Sequence, residues 1–287
     1  MRYKLLLLVS VFFLCTNTIE GQKNSFKVMA WNILHGGNDI ENGPENVAKI
    51  IKEINPDIIL MVETYGSGPF IANYLNYNFH LIASEETNLD DPSVNLSIYS
   101  KYPFAKRIDT KYPFYLGGIE IPINGKTIRF FSNWFHYLPW DNEPEKMGKT
   151  VNELLEWELS GSRHNMIQKV LPYLKKYSQE TDSIPMIFGG DMNSLSHLDW
   201  TKKTKKLHND LIVPWGATKI LDDLGLIDSY RKENPNPLTH PGITWDKKGR
   251  KDSHRIDYIF YKGKSIKSTK SKSYNAFFNE HITINGK

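Results

Sequence analysis

The sequence predicts an α/β fold of four layers, α/β/β/α, in which two packed mixed sheets are flanked by helices. Three observations predict it. Short apolar runs of strand length alternate with stretches whose apolar residues recur at helical spacing. A two-residue hairpin signal demands antiparallel pairing beside the parallel pairing that helical crossovers imply. Neither a repeat nor a long linker divides the 287 residues, so the elements share one core. Composition agrees, because 40% hydrophobic and 24% charged residues describe a globular chain and exclude a disordered, collagenous or disulfide-stapled one.

The first residues are set apart from this fold. Arg2 and Lys4 form a positive start, residues 5–15 an apolar run, and residues 16–20 a polar stretch leading to the small Gly21. That order reads as a secretory signal peptide over residues 1–21, leaving a single domain over residues 22–287. The apolar run is shorter than the roughly 20 residues of a membrane span, and no other stretch approaches that length. No stable membrane insertion is expected; the mature protein should be secreted or periplasmic, and monomeric. Cleavage after Gly21 removes Cys15, the one cysteine, and with it any disulfide, thiol nucleophile or cysteine-ligated metal.

Along the mature chain, residues 26–34 alternate apolar and polar before a Gly36-Gly37 turn, as a strand does. Residues 44–54 carry Val47, Ile50, Ile51 and Ile54 at helical spacing, with Pro44 at the helix start. Residues 57–63 form a nearly continuous apolar run, the mark of a strand covered on both faces. Residues 96–99 and 118–123 read as strands, and Asn124-Gly125 turns the second into residues 127–135. A proline-bearing polar loop over 139–149 leads to a helical region over 151–176, interrupted at Gly161. Residues 185–188 make a buried strand closed by Gly189-Gly190, and residues 256–261 make another. Ser196 reads as the cap of a helix running from 197 towards 207.

Polar groups gather where these strands end. Asn32 closes the first in Ala30-Trp31-Asn32, and Glu63 closes the apolar one in Met61-Val62-Glu63-Thr64. Asp191 and Asn193 follow in Gly189-Gly190-Asp191-Met192-Asn193, and Asp257 lies in Arg255-Ile256-Asp257-Tyr258. A carboxylate emerging from an apolar core is costly to bury unless it binds a cation or is hydrogen-bonded. Oxygen ligands without cysteine favour a hard ion, Mg²⁺, Mn²⁺ or Ca²⁺. Singly, each residue has a plainer reading. Asp191 and Asn193 suit turns or caps, Glu63 a solvated strand end, and Asp257 a partner for Arg255 or a lysine. The formal net charge of +4 is mildly favourable to anionic substrates and too small to argue nucleic acid by itself. A serine hydrolase is disfavoured, since the chain has no G-x-S-x-G elbow.

Taken in order, Trp-Asn at the first strand, Glu at the second, Gly-Asp-x-Asn after a later one and Arg-x-Asp-Tyr near the end resemble the endonuclease/exonuclease/phosphatase superfamily. These are the deoxyribonuclease-I-like metal-dependent phosphoesterases, among them apurinic endonucleases, neutral sphingomyelinases and inositol-polyphosphate phosphatases. The resemblance spans residues 26–261 and includes Ser97-Ile98-Tyr99-Ser100-Lys101-Tyr102-Pro103, similar to the family's strand ending in Ser-Arg-x-Pro. It implies a metal, Mg²⁺ or Mn²⁺ with Ca²⁺ as a third option, held by Asn32 and Glu63. It implies that Asp191 activates or positions the attacking water and that Asn193 orients substrate. By the same resemblance Asp257 supports a catalytic histidine, and His136 contacts the scissile phosphate. His136 also has the reading of a member of an aromatic cluster with Trp134, Phe135 and Tyr137. His35 and His197 lie beside matched motifs as substrate contacts, and Trp140, in the loop beyond His136, is a third.

The sequence departs from the family at its end, where Ser-Asp-His is usual. Glu280-His281 comes nearest. Because residues 281–284 alternate like a strand and Asn285-Gly286 then turns, the preferred expectation is that the sequence is cut short before a last strand; the other is that Glu280-His281 substitutes. The expected activity is phosphoester hydrolysis, diester before monoester, with a non-catalytic binding protein on the same fold as the alternative. Nucleic acid, a phospholipid headgroup or a small phosphoester would each serve as substrate. Lysines at 202–206 and 247–272 suit a polyanion, or simply a solvated surface.

Overall fold

A computed structural model describes residues 25–245 and 253–274. The first sheet contains β1 (Val28–Asn32), β2 (Ile58–Val62), β3 (Asn78–Ile82) and β4 (Leu96–Ser100), in the order β1-β2-β4-β3, with β1 and β2 parallel. The second contains β5 (Lys106–Ile108), β6 (Leu116–Ile123), β7 (Lys126–Trp134), β8 (Met186–Asp191), β9 (Ile227–Asp228) and β10 (Asp257–Lys262). Their order is β5-β6-β7-β8-β10-β9, with β7 and β8 parallel and the other pairs antiparallel. The helices are α1 (Gly43–Ile54), α2 (Gly68–Leu75), α3 (Val151–Leu159), α4 (Ser162–Gln179), α5 (Gly216–Asp223) and α6 (Ser229–Glu233). None of the described helices is long and apolar enough to cross a membrane.

The alternation of each strand sorts its side chains into layers. In β2, Ile58, Leu60 and Val62 face Ile119, Ile121, Phe130 and Ile187 of the other sheet, while Ile59 and Met61 join Val47, Ile51 and Ile71 from α1 and α2. In the second sheet, Phe131, Phe188 and Phe260 turn outward against Ile167, Val170 and Leu174 of α4. Each sheet is therefore covered on both faces, which is why β2 and β4 are buried throughout. These are the α/β/β/α layers that the apolar runs predict.

Most expected elements fall where the sequence puts them. Asn124 and Gly125 both adopt positive φ, 50° and 77°, as a tight hairpin between β6 and β7 requires. The helical region breaks at Gly161 into α3 and α4. Two expectations are corrected. Gly189-Gly190 does not close a strand: β8 continues through both to Asp191, paired with Ser132 and Asn133 of β7 on one side and Ile259 and Tyr258 of β10 on the other. A Cβ at Gly190 would lie 2.1 Å from the Asn133 carbonyl oxygen, and its φ is +146°, so glycine here serves close strand approach. Nor does a helix run from 197 to 207. Turns and one short 3₁₀ turn at Lys205–Leu207 fill that stretch, because the Ser196 hydroxyl accepts from the Leu198 N–H and bends the chain locally.

Gly190→Ala should therefore lower stability by roughly 2–4 kcal/mol, the scale of an enforced backbone clash. Chemical denaturation would measure it, and a midpoint unchanged from the parent would contradict this packing.

Candidate active site

The parallel register of β1 and β2 sets Asn32 beside Val62, so Glu63, one step past β2, lies next to Asn32. The Asn32 amide Nδ2 donates to Glu63 Oε1 at 2.8 Å and to Asp191 Oδ2 at 3.0 Å, joining the ends of the two sheets. Its Oδ1 accepts from the Leu34 N–H, which fixes the amide's orientation. Glu63 turns the chain with φ 56°, and its Oε2 accepts from the His35 N–H at 3.1 Å.

In the second sheet, antiparallel pairing sets Asp257 at the start of β10 directly opposite Asp191 at the end of β8. Asp191 is 4% exposed. It accepts from the Asn193 N–H at 2.7 Å and from Asn193 Nδ2 at 3.0 Å. The same Nδ2 donates to the Phe135 carbonyl, so both amide hydrogens of Asn193 are engaged. Asp257 differs, because its Oδ1 is buried with no hydrogen-bond partner among the described residues. Burial, then Asp257 itself, hold the Asp191 carboxyl well above the usual carboxylate range, against the pull of Asn32 and Asn193. Burial and Glu63 push Asp257 up to about 6, opposed by the Thr244 hydroxyl.

A buried acid oxygen without a donor is a place for a cation. Among the described residues no group of three or more His, Cys, Asp or Glu converges as a metal cluster. The donor set is instead a few acid oxygens with an amide, which suits a hard divalent ion that keeps several waters.

Asn32, Glu63, Asp191, Asn193 and Asp257 thus meet at one cleft, and His35 and Trp140 line it. The His35 ring turns to Asp39, so its part beside Glu63 is played by its backbone N–H. Trp140 packs edge-on against Trp245 at 5.6 Å, both in the cleft wall. His136 is not among the residues that line the cleft; its ring lies against those of the lining residues Trp134 and Tyr137, as the aromatic-cluster reading expects. His197 is not brought to the cleft; its Nδ1 lies 2.8 Å from the Thr218 hydroxyl. Arg255 does not pair with Asp257, being held by Asp199 and Asp228. Lys205 and Lys206 pair with Asp210, whereas Lys267, Lys270 and Lys272 line the cleft. Glu280-His281 and residues 1–21 lie outside the described residues.

Sequence reasoning missed Tyr65, Thr244 and Arg163. Tyr65, two residues past Glu63, lines the cleft with its hydroxyl pushed up to about 12 by burial and by Glu63. The Thr244 hydroxyl accepts from the N–H groups of Ile256 and Asp257. Buried Arg163 donates to the carbonyls of Tyr137 and Asn193. Tyr65 was within reach of the strand-end rule that marks Glu63; the other two carry no local signal.

The model of the Endonuclease/Exonuclease/phosphatase family matches residues 29–277. An uncharacterized protein of Caenorhabditis elegans, F14F9.5, is 28% identical over 290 aligned residues, covering 92% of this chain and 87% of that protein. Among solved structures, D. rerio TDP2 humanized by 14 mutations superposes with a TM-score of 0.53 at 15% identity, over 85% of this chain and 86% of that one. Truncated C. elegans TDP2 gives 0.53 at 19% identity, over 83% and 84%. At such identities the likeness is one of fold.

The folded chain prefers a protonated Asp257 up to about 6, whereas an unfolded aspartate titrates near 3.8. The folded state then binds the extra proton between those values, so with divalent ions chelated stability should fall as pH rises from about 4 through about 6. Asp257→Asn should remove part of that fall and raise the thermal midpoint at neutral pH by a few degrees, on the scale of about 1 kcal/mol. A wild-type profile flat across the window would contradict the arrangement.

Proposed function

The chain belongs to the endonuclease/exonuclease/phosphatase family, and on that premise we propose that it is a divalent-metal-dependent phosphodiesterase, exported from the cytoplasm. The observation that carries the reading is the facing pair Asp191 and Asp257, with the Asp257 Oδ1 buried and without a partner among the described residues. Asn32 and Glu63 would hold the ion, with the orphan oxygen of Asp257 available to it. A bound divalent ion supplies charge neutralisation on the phosphoryl oxygens.

Asp191 acts as the base. Burial and the facing Asp257 raise its proton affinity above that of an ordinary carboxylate, which makes the ionised group a stronger base. Asn32 and Asn193 hold both its oxygens in place. It takes the proton of an attacking water as the new P–O bond forms opposite the leaving oxygen; the bond to that oxygen breaks, and the alcohol leaves after protonation by solvent. A diester fits better than a monoester because Glu63, Asp191 and Asp257 converge at the cleft, and a monoanionic substrate is repelled less than a dianionic one. Export rests on the order of charge, apolar run and small residue over residues 1–21.

Hydrolysis of bis(p-nitrophenyl) phosphate tests the reading. The protein should turn it over with Mg²⁺ or Mn²⁺, lose activity in EDTA, and lose about 10²–10⁴-fold in kcat as Asp191→Ala. No turnover by a demonstrably folded chain with either ion would sink the phosphodiesterase. For export, N-terminal sequencing of the protein recovered from a secreting host should begin at Gln22; a retained, uncleaved Met1 would refute it.

A further inference from the structure

His136 follows β7, and its ring is gripped from behind by the start of α4. The Leu138 N–H donates to His136 Nδ1 at 3.2 Å, and the Ser162 Oγ lies 2.7 Å from the same nitrogen. A backbone N–H has no acceptor capacity, so Nδ1 must present its lone pair. The ring proton of a neutral imidazole then sits on Nε2. The serine hydroxyl, free to rotate, completes the arrangement by donating to Nδ1 at the shorter of its two contacts, the other being the Leu138 carbonyl at 3.4 Å.

The loop that aims the Leu138 N–H is itself fastened. The Arg163 N–H donates to the Leu138 carbonyl at 3.0 Å, and the Arg163 guanidinium donates to the Tyr137 carbonyl at 3.2 Å. Gly161 admits this approach, since a Cβ there would fall 2.0 Å from Pro139 Cδ. A second proton on the ring meets opposition from several sides. It would set an Nδ1–H against the Leu138 N–H. It would also face the Arg163 cation and the positive N-terminal end of α4, which spans 18 residues. Among the described residues, the other groups in contact with it, Trp134, Tyr137 and the Met166 sulfur, bring no carboxylate to compensate. Burial and Arg163 accordingly hold the His136 ring below the ordinary histidine range.

We propose that Ser162 and the Leu138 N–H lock His136 in the tautomer protonated on Nε2, so that His136 meets the substrate as a neutral hydrogen-bond donor and never as a base. Ser162 is thereby a positioning residue. The inference rests on the phosphodiesterase reading for the place of substrate, and it sharpens that reading: His136 steadies charge on a phosphoryl oxygen, and proton abstraction falls to Asp191 alone. A neutral imidazole is also too weak an acid to protonate the leaving alcohol, which leaves that step to solvent.

Long-range ¹H–¹⁵N correlation on the full-length protein labelled at histidine reads the tautomer directly, with the His136 signals assigned by their loss in His136→Gln. The expected result near neutral pH is an unprotonated Nδ1 and a protonated Nε2. Ser162→Ala should shift the ring towards a tautomer mixture and lower kcat on bis(p-nitrophenyl) phosphate about 3- to 10-fold, the worth of one hydrogen bond. Ser162→Thr, which keeps the hydroxyl, should restore both. A ring protonated on Nδ1, a doubly protonated ring, or a Ser162→Ala protein with wild-type tautomer and rate would overturn the proposal. Should the wild type lack turnover, the spectrum still decides the lock, while the phosphodiesterase reading falls alone.

Discussion

The arrangement of the site depends on one amide. Asn32 Nδ2 spans Glu63 on the first sheet and Asp191 on the second, at the open end of a sandwich whose interior is apolar. Acids placed so close repel one another, and burying them costs several kcal/mol each without donors or a cation. The amide offers a donor to each sheet, and Asn193 adds two more to Asp191. Asp257 receives no such help at Oδ1. Among the described residues, its unmet demand is the physical reason to expect a hard cation.

The buried arginines near the site are engaged away from its acids. Arg255 is spent on Asp199 and Asp228, and Arg231 on Asp199. Arg163 is spent on the carbonyls of Tyr137 and Asn193. Arg163 holds the segment that carries Asn193, Arg255 lies two residues before Asp257, and none of the three offsets a site carboxylate by direct contact. The arginines thus brace loops, while the cations that share the cleft wall with the acids are lysines, among them Lys267, Lys270 and Lys272. The brace also reaches His136, whose ring is oriented by the same loop that Arg163 fastens.

Much of this was legible in the sequence because it follows from short-range patterns. The apolar run at residues 57–63 becomes a strand buried on both faces, and Asn124-Gly125 becomes the expected hairpin. The strand-end rule singled out Asn32, Glu63, Asp191, Asn193 and Asp257, and all five meet at one cleft. The misreadings came where a local cue has two physical uses. Gly189-Gly190 resembles a turn, yet the glycines serve close approach to Asn133 and Tyr258. Ser196 resembles a helix cap, yet it closes a small turn. His197 neighbours a site motif in sequence, but its ring bonds to Thr218 on α5.

The sequence by itself determined the layers, the strand ends and the residue types available there, because periodicity and turn chemistry act over a few residues. Only the tertiary structure decided which ends face each other. The pairing of Asp191 with Asp257, the reach of Asn32 across both sheets and the grip of Ser162 on His136 join residues 66, 159 and 26 positions apart. Such separations leave no periodic trace, since the contacts are set by strand order and register. The electrostatics of the cleft, and with it the chemistry proposed for it, exist only once those distant groups share one desolvated place.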